Sequence, residues 1–182
     1  MTALAFTGPL NIASARLEET DEALALLDDS ARWLEANGIR QWHAPTPEQI
    51  RAWWRRAVER GQVFLARRAS DPRAVGVFRI QWADPELWEE DGGSAGYLYG
   101  LAVRPDLHGQ RIGEQMLDWA QRYFAESGRR VLRLDCRADN PKLRGYYERL
   151  GFVCRGEQPR EGYSLALYER KVNEIEGDLG GF

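Results

Sequence analysis

The fold is decided by two neighbouring stretches, YLYGLAVRPDLHGQRIGEQMLDWAQ at residues 97–121 and VLRLDCRADNPKLRGYYERLGF at residues 131–152. The first opens with aromatic and branched residues typical of a strand, and Pro105 ends that strand because proline lacks a backbone donor. Over residues 111–127, apolar residues recur at spacings of three and four, which predicts a helix that ends at Gly128. The first stretch therefore predicts a strand, a glycine loop and a helix.

The loop between this strand and this helix is His108-Gly109-Gln110-Arg111-Ile112-Gly113. Glycine lets a backbone turn sharply, or lets another molecule approach the backbone amides closely. A helix N-terminus behind such a loop binds anions, because its free N–H groups and the positive end of the helix dipole both point outward there. The same glycines also suit a plain strand-to-helix turn, so the loop taken alone leaves both interpretations open.

The second stretch predicts another strand, from Val131 to Cys136, followed by another helix. Asn140-Pro141 is a typical helix start. One face of the predicted helix carries Leu143, Tyr146, Tyr147 and Leu150. Gly151-Phe152 ends the helix.

Together the two stretches resemble the GCN5-related N-acetyltransferase (GNAT) superfamily. Its loop pattern is Arg/Gln-x-x-Gly-x-Gly/Ala, and the loop matches the frame and the final glycine, with His108 in the first position and Arg111 in place of the first glycine. Its second pattern is an asparagine followed seven residues later by Tyr-Glu-x-x-Gly-Phe. Asn140 and then Tyr147-Glu148-Arg149-Leu150-Gly151-Phe152 match this pattern, in the family's order and spacing.

The resemblance implies an α/β fold with a mixed, mostly antiparallel central sheet, helices on both faces, and a cofactor cleft where two strands splay apart. Those strands correspond to residues 97–103 and 131–136, and the cleft holds acetyl-CoA. By resemblance, the cofactor-binding residues are Leu101, Ala102, Val103, His108, Gly109, Gln110, Arg111, Ile112, Gly113, Glu114 and Asn140. Asn140 also suits a helix cap, and His108 also suits a solvated loop.

Acetyl transfer from a thioester to an amine requires removal of a proton from the amine, stabilisation of an oxyanion, and a proton for the departing thiolate. The resemblance implies that Tyr147 protonates the thiolate. It also implies that Asp135, five residues before the motif asparagine, is the base. Each residue has an alternative: Tyr147 and its neighbour Tyr146 suit core packing, and Asp135 suits a solvated position or an ion pair with Arg133 or Arg137.

The flanking segments predict the remaining elements. Before the two stretches we expect a strand at residues 10–17, a helix capped by Thr20, a second helix opened by the capping box Thr46-Pro47-Glu48-Gln49, and two strands joined by a turn at Asp71-Pro72-Arg73. After them we expect a strand to about Arg155, a polar connection at residues 156–162 and a last strand at residues 163–170.

The acceptor side of the cleft is less well defined by the sequence. Trp33, Trp42 and Trp88 are candidates to edge it, although aromatic residues also pack in cores. Residues 84–93 are acidic and bounded by helix and strand breakers. This segment suits either a lip that attracts a cationic acceptor or a solvated loop.

Composition limits the class of protein. The 182 residues are 43% apolar and 29% charged with a net charge of −3, which is typical of one globular domain and lacks the basic clusters of nucleic-acid-binding proteins. We expect a single domain at residues 1–172, a polar tail at residues 173–182, no nucleic-acid partner, no membrane segment and a cytoplasmic location. Two histidines, and two cysteines without metal-ligand spacing, argue against a metal site. Homodimer formation stays open.

The sequence therefore predicts an acetyl-CoA-dependent N-acetyltransferase that acetylates a primary amine of a small molecule or peptide by direct attack. The alternatives are transfer of a longer acyl group and a non-catalytic acyl-CoA-binding regulatory module. A nicotinamide dehydrogenase is disfavoured, because the glycines do not match its Gly-x-Gly-x-x-Gly fingerprint.

Overall fold

A computed structural model describes residues 8–42, 46–88 and 92–172, and within them the chain forms one seven-stranded sheet flanked by four α-helices. The elements in chain order are β1 (Leu10–Ser14), α1 (Thr20–Ala36), α2 (Glu48–Glu59), β2 (Val63–Arg68), β3 (Asp71–Gln81), β4 (Ala95–Val103), α3 (Ile112–Glu126), β5 (Val131–Arg137), α4 (Pro141–Arg149), β6 (Val153–Arg160) and β7 (Tyr163–Lys171). This is the element order that the sequence predicts.

The strands lie in the order β1-β2-β3-β4-β5-β7-β6, and neighbouring strands are antiparallel except for β4 and β5. The parallel pairing is short, because it joins only residues 95–97 to residues 131–133. Both strands continue beyond it without pairing to each other, which opens a cleft between them. The predicted fold class is confirmed.

A glycine in β4 shapes this cleft. Gly100 has a φ of 60°, in the left-handed region, and a side-chain carbon there would overlap the ring of Trp54 on α2. The register between β3 and β4 also shifts nearby, between Val77 and Arg79. Helix α2 therefore packs directly onto the strand backbone where β4 leaves its parallel partner.

Side-chain alternation along β5 assigns residues to the two faces of the sheet. Leu132, Leu134 and Cys136 are buried in the core that also contains residues of α3 and α4. The alternate residues Arg133, Asp135 and Arg137 lie on the other face, which α1 and α2 cover. The backbone amide of Arg137 donates to the side chain of Gln41, just after α1.

Both predicted N-terminal helix caps are wrong. Thr20 is the first residue of α1, and its hydroxyl donates to the Leu17 carbonyl at 2.7 Å because a 3-10 turn at Leu17–Glu19 precedes the helix. At α2 there is no side-chain cap, and the amide of Thr46 instead donates to Asp28 on α1 at 2.8 Å. Tertiary contacts replace the local bonds at both positions.

Three predicted segments near strands also differ from the structure. The first strand ends at Ser14, and the hairpin between β2 and β3 turns at residues 69–70, because Asp71 already pairs with Arg68. The predicted polar connection at residues 156–162 is mostly strand, since β6 continues to Arg160 against β7. Nearly every residue of this edge strand is exposed, so it lacks the apolar alternation by which strands are found.

Among the described residues, no helix is long and apolar enough to cross a membrane. The domain boundary at residue 172 stays a prediction, and the predicted tail lies outside the described residues.

Candidate active site

A cleft of about 600 Å³ lies where β4 and β5 part. It is walled by β4, the loop before α3, the starts of α3 and α4, and the end of α1 with the segment that follows. The predicted site residues that line it are Leu101, Ala102, Val103, His108, Gly109, Arg111, Ile112, Gly113, Glu114, Asp135, Asn140 and Tyr147. Gln110 does not line it, and its side-chain oxygen accepts a hydrogen bond from Arg68.

The loop before α3 has a left-handed backbone at the residue that departs from the superfamily pattern. Arg111 has a φ of 59° and is the only non-glycine residue with positive φ in the described parts of the chain. This left-handed conformation favours glycine. Arg111 stands where the superfamily pattern has glycine, and its left-handed backbone is one that glycine adopts readily.

The first turn of α3 presents free amides to the cleft. The first helical amide with an acceptor is that of Gln115, which donates to the Arg111 carbonyl at 3.2 Å. The amides of Ile112, Gly113 and Glu114 donate to no other described residue, and no side chain caps the helix. Unpaired N–H groups at the positive end of a helix dipole suit a phosphate or pyrophosphate group.

The Arg111 side chain does not add a free positive charge to this site. Its guanidinium forms a salt bridge with Glu114 at 2.7 Å, and the arginine side chain is 69% exposed. The free backbone amides, rather than this guanidinium, are therefore the groups that suit an anion. Lys142, in the first turn of α4, also lines the cleft, which the sequence interpretation missed.

Gly113 and Asn140 have clear packing reasons. A side-chain carbon at Gly113 would lie 2.9 Å from the hydroxyl of Tyr146. Tyr146, which the sequence assigns to packing, therefore packs against the loop and also lines the cleft. Asn140 is 7% exposed, and its side-chain oxygen caps α4 by accepting from the Leu143 amide at 3.1 Å.

His108 links the loop to α1. Its Nε2 lies 3.0 Å from the Val103 carbonyl oxygen, and its ring meets that of Trp33 edge-on with centroids 4.4 Å apart. The Ser30 hydroxyl also lies 3.4 Å from the same carbonyl. His108 is thus exposed, as a solvated loop residue would be, and these contacts also hold its ring against α1.

Tyr147 lies at the inner end of α4 and is 5% exposed. Its ring packs against Phe152 and Tyr168, which is the core packing that its helical spacing predicts. The hydroxyl donates to no other described residue, and the side chain lines the cleft. Burial raises the pKa of Tyr147 well above its ordinary value, which keeps the phenol protonated.

Asp135 forms neither of the predicted ion pairs. Arg133 pairs with Glu169 at 3.0 Å and Arg137 pairs with Asp139 at 2.8 Å. The Asp135 carboxylate has no hydrogen bond or salt bridge to the described residues, and it lines the cleft. Burial, together with the negative charge of Asp84, raises the pKa of Asp135 to about 6.

The sequence interpretation did not identify Tyr99, a polar residue near Asp135. Tyr99 on β4 lines the cleft, and its hydroxyl donates a short hydrogen bond to Asp84 in the β3–β4 connection. Arg79, which is opposite Tyr99 on β3, is 1% exposed. The alternation of side chains along β3 and β4 predicts only which face of the sheet each residue lies on. That Arg79 and Tyr99 are adjacent follows from the register between the two strands.

The three candidate tryptophans separate into two groups. Trp33 and Trp42 line the cleft, as expected. Trp88 does not, because it is buried in a separate cluster with Tyr97 and Leu167. Of the acidic segment, Asp84 lies near the site, whereas Glu89, Glu90 and Asp91 fall outside the described residues.

The described residues contain no group of three or more His, Cys, Asp or Glu side chains placed to hold a metal ion. Cys136 is buried and Cys154 is half-buried, and both are free.

Comparison with known proteins agrees with this geometry. Residues 25–152 match the model of the acetyltransferase (GNAT) family. The uncharacterized N-acetyltransferase YesJ of Bacillus subtilis is 32% identical over 161 residues, covering 85% of this chain and 86% of its own length. A GNAT-family acetyltransferase structure from Listeria monocytogenes aligns with a TM-score of 0.70 and 24% identity, over 89% of this chain and 94% of that one. The structure of yncA from Salmonella typhimurium, with its cofactor acetyl-CoA, aligns with a TM-score of 0.65 and 15% identity, over 92% of this chain and 96% of that one.

The fold and cleft define an acetyltransferase, and the chain belongs to the GNAT family. The predicted superfamily and the predicted enzyme class, an acetyl-CoA-dependent N-acetyltransferase, are confirmed. The roles of individual site residues stay predictions.

Proposed function

We propose that this protein transfers an acetyl group from acetyl-CoA directly to a primary amine, with Asp135 as base and Tyr147 as acid. The observation that carries the proposal is a cleft lined by free helix amides together with a carboxylate and a phenol that have no hydrogen-bond partner among the described residues. We name two parts of it. The coenzyme end comprises residues 101–103, the loop 108–114 and Asn140, and the acceptor end comprises Asp135 and Tyr99, whose hydroxyl bonds to Asp84.

The coenzyme end supports binding of acetyl-CoA by backbone groups. The amides of Ile112, Gly113 and Glu114 suit the pyrophosphate. The β4 backbone at residues 101–103 has no strand partner on its β5 side, which suits the pantetheine amides. His108 and Asn140 hold the loop and α4 in place around this end. We assign Gln110 only a backbone contribution, because its side chain bonds to Arg68.

Asp135 supports proton removal from the acceptor. An amine is mostly protonated at neutral pH and must lose a proton before it can attack. A carboxylate with a pKa of about 6 is a stronger base than an ordinary aspartate and is still mostly ionised at pH 7. Because Asp135 has no partner among the described residues, its carboxylate is available to the ammonium group of an acceptor.

Tyr147 supports departure of the thiol. Acetyl-CoA, when bound, supplies the acetyl group as a thioester. The Tyr147 hydroxyl holds its proton at all physiological pH values, since burial raises its pKa, and it donates that proton to the departing sulfur. Its packing against Phe152 and Tyr168 fixes the ring, so the hydroxyl is held in one orientation.

Calorimetry with acetyl-CoA tests the coenzyme end. Wild-type protein should bind, and Gly113→Val should bind at least about tenfold more weakly because the branched side chain meets the Tyr146 hydroxyl in the loop. Gly145→Val is the matched control, since a carbon there makes only an ordinary contact of 3.6 Å with Arg149. Failure of the wild-type protein to bind acetyl-CoA would overturn the proposal.

Thiol release from acetyl-CoA in the presence of amines tests catalysis. A panel of amino acids, polyamines, aminoglycosides and peptides should contain at least one acceptor. Tight coenzyme binding without turnover on the whole panel would favour a regulatory module. Faster turnover with propionyl-CoA than with acetyl-CoA would favour transfer of a longer acyl group.

A further inference from the structure

Large apolar side chains form one wall of the cleft. They come from the end of α1 and the segment that follows it, and each is half-buried and lines the cleft: Trp33, Leu34, Ile39 and Trp42. Apolar surface that faces a cleft is exposed to water, and covering it with an apolar ligand is favourable. This set of four residues, which we call the apolar wall, therefore suits an apolar group of a bound molecule.

One end of the apolar wall lies beside the proposed base. The Arg137 amide on β5 donates at 3.2 Å to the side chain of Gln41, which stands between Ile39 and Trp42 in the chain. Arg137 and Asp135 are two residues apart on the same face of β5, a distance of about 7 Å along the strand. Since Ile39, Trp42 and Asp135 line the same cleft, a small molecule can contact all three.

The other end of the apolar wall belongs to the coenzyme. The Trp33 ring meets that of His108 with centroids 4.4 Å apart, and His108 lies against the carbonyl of Val103 at the end of β4. The wall thus runs from the coenzyme end to β5. We assign Ile39 and Trp42 to the acceptor, because the Gln41 contact holds their segment against the strand that carries the base.

Among the described residues, the acceptor end offers no positive charge to bind a carboxylate. The basic side chains that line the cleft belong to the loop before α3 and to the start of α4: His108, Arg111 and Lys142. The arginines on either side of Asp135 in β5 pair with Glu169 and Asp139. Arg160, whose charge also acts on Asp135, is exposed in β6 and does not line the cleft.

Negative charge dominates the acceptor end instead. The Asp135 carboxylate has no hydrogen bond or salt bridge to the described residues, and the charge of Asp84 acts on it. The Tyr99 hydroxyl donates its proton to Asp84, so it does not offer that proton to a ligand. A carboxylate on the acceptor would lie near two like charges without a cation to compensate it, which costs free energy.

We propose that the acceptor is a small primary amine that carries an apolar group and no carboxylate, with its ammonium group beside Asp135 and its apolar group against Ile39 and Trp42. This rests on the proposed acetyl transfer and names its substrate class. The amine nitrogen bonds to the acetyl carbon as the carbon–sulfur bond breaks. Of the two protons that the ammonium group loses, one is balanced by the proton that the sulfur gains and the other is released through Asp135.

Thiol release from acetyl-CoA with three acceptors tests this inference. 2-Phenylethylamine and phenylalanine differ only in the carboxylate, whereas ethanolamine has a hydroxyl in place of the phenyl ring. The wild-type enzyme should use 2-phenylethylamine with a kcat/KM about 10²-fold or more above that of phenylalanine, because the carboxylate finds no cation. It should also prefer 2-phenylethylamine to ethanolamine by about tenfold or more, because the ring buries apolar area.

Variants of the apolar wall test where the ring binds. Trp42→Ala and Ile39→Ala should each reduce the preference for 2-phenylethylamine over ethanolamine by about threefold or more, chiefly through KM, with acetyl-CoA affinity unchanged. Trp42→Phe, which keeps an aromatic ring, should retain most of the preference. Ile50→Ala is the matched control for Ile39→Ala and should keep the wild-type preference, because Ile50 is 42% exposed on α2 and outside the cleft.

The inference and the proposed acetyl transfer can fail separately. If Trp42→Ala fails to bind acetyl-CoA, the wild-type preferences and the Ile39→Ala variant decide the question. Wild-type use of phenylalanine or ethanolamine as well as 2-phenylethylamine, or an unchanged preference in Ile39→Ala, would overturn the inference. If the wild-type enzyme acetylates amino acids or polyamines but not 2-phenylethylamine, the inference fails and the proposed acetyl transfer stands. Turnover of no amine at all would contradict both.

Discussion

The coenzyme end of the cleft is built mainly from backbone, whereas the acceptor end is built from side chains. At the coenzyme end, a left-handed Arg111 and three free amides come from one short loop and helix start, and the side chains of Arg111 and Gln110 bond to Glu114 and Arg68. At the acceptor end, the side chains of Tyr99 on β4 and Asp135 on β5 line the cleft, and Tyr99 bonds to Asp84 in the β3–β4 connection. A site built from backbone groups tolerates substitution of its side chains, so the coenzyme end suits a ligand that stays the same among related proteins. The acceptor end is built from side chains and suits a ligand particular to this protein.

The comparison predicts that removing one side chain at the acceptor end has the largest effect. Asp135→Asn removes the proposed base and should lower kcat/KM by about 10²- to 10⁴-fold at pH 8, with acetyl-CoA affinity nearly unchanged. Steady-state kinetics and calorimetry measure the two quantities. An Asn variant with wild-type kcat would show that Asp135 is not the base.

The same substitution should stabilise the fold at neutral and alkaline pH. The pKa of Asp135 is about 6 in the folded state, above the value of about 3.9 for an exposed aspartate, so the folded state favours the protonated form. The stability from this group is therefore fully present below about pH 4 and is lost as the pH rises through 6. Asp135→Asn should match wild-type stability at pH 4 and exceed it by about 1–2 kcal/mol at pH 8, by chemical denaturation. Equal stability at both pH values would contradict the raised pKa.

Tyr147→Phe should have a smaller effect, because a thiolate with an ordinary pKa near 8.5 leaves fairly well unaided. We expect kcat to fall by about 10²-fold under conditions where chemistry limits the rate. The phenyl ring keeps its contacts with Phe152 and Tyr168, so thermal stability should be unchanged. Tyr123→Phe is the control, since that tyrosine packs among Phe64 and Trp119 away from the cleft. Full kcat in Tyr147→Phe would return Tyr147 to a packing role.

The smallest effect is expected from Asp84→Asn. Its negative charge helps to raise the pKa of Asp135, so neutralising it lowers that pKa. The kcat/KM of the wild-type enzyme should fall as the pH drops through about 6, and the kcat/KM of the variant should fall only at lower pH. Asp106→Asn, an exposed aspartate paired with Arg104, should leave the profile in place. A shift toward higher pH, or none, would mean that Asp84 does not act on the base.

The same contrast explains what the sequence predicted. Gly113, Asn140 and Tyr147 lie in contiguous motifs that resemble those of the superfamily, so their placement in the cleft was predictable. Arg79 and Tyr99 are twenty residues apart and meet only through the register of β3 and β4, which no local pattern specifies. Asp135 was found by its offset from Asn140, but its lack of an ion pair depends on Glu169 and Asp139, which take up Arg133 and Arg137.

The elements that were predicted wrongly fail for similar reasons. The sequence at Thr46 fits a capping box, but the Thr46 amide donates its hydrogen bond to Asp28 of another helix instead. Both faces of the second half of β6 are exposed, so its residues are polar and show no apolar alternation from which a strand could be predicted. Local propensity therefore succeeds where the partner is local and fails where tertiary contacts compete.

Initial-velocity kinetics tests the central claim, that both ends of one cleft act together in direct transfer. Acetyl-CoA is varied at several fixed concentrations of an acceptor amine. Double-reciprocal lines that intersect are predicted, because both substrates must occupy the cleft before Asp135 and Tyr147 move protons. Parallel lines, the signature of a covalent acetyl-enzyme formed before the amine binds, would contradict the account.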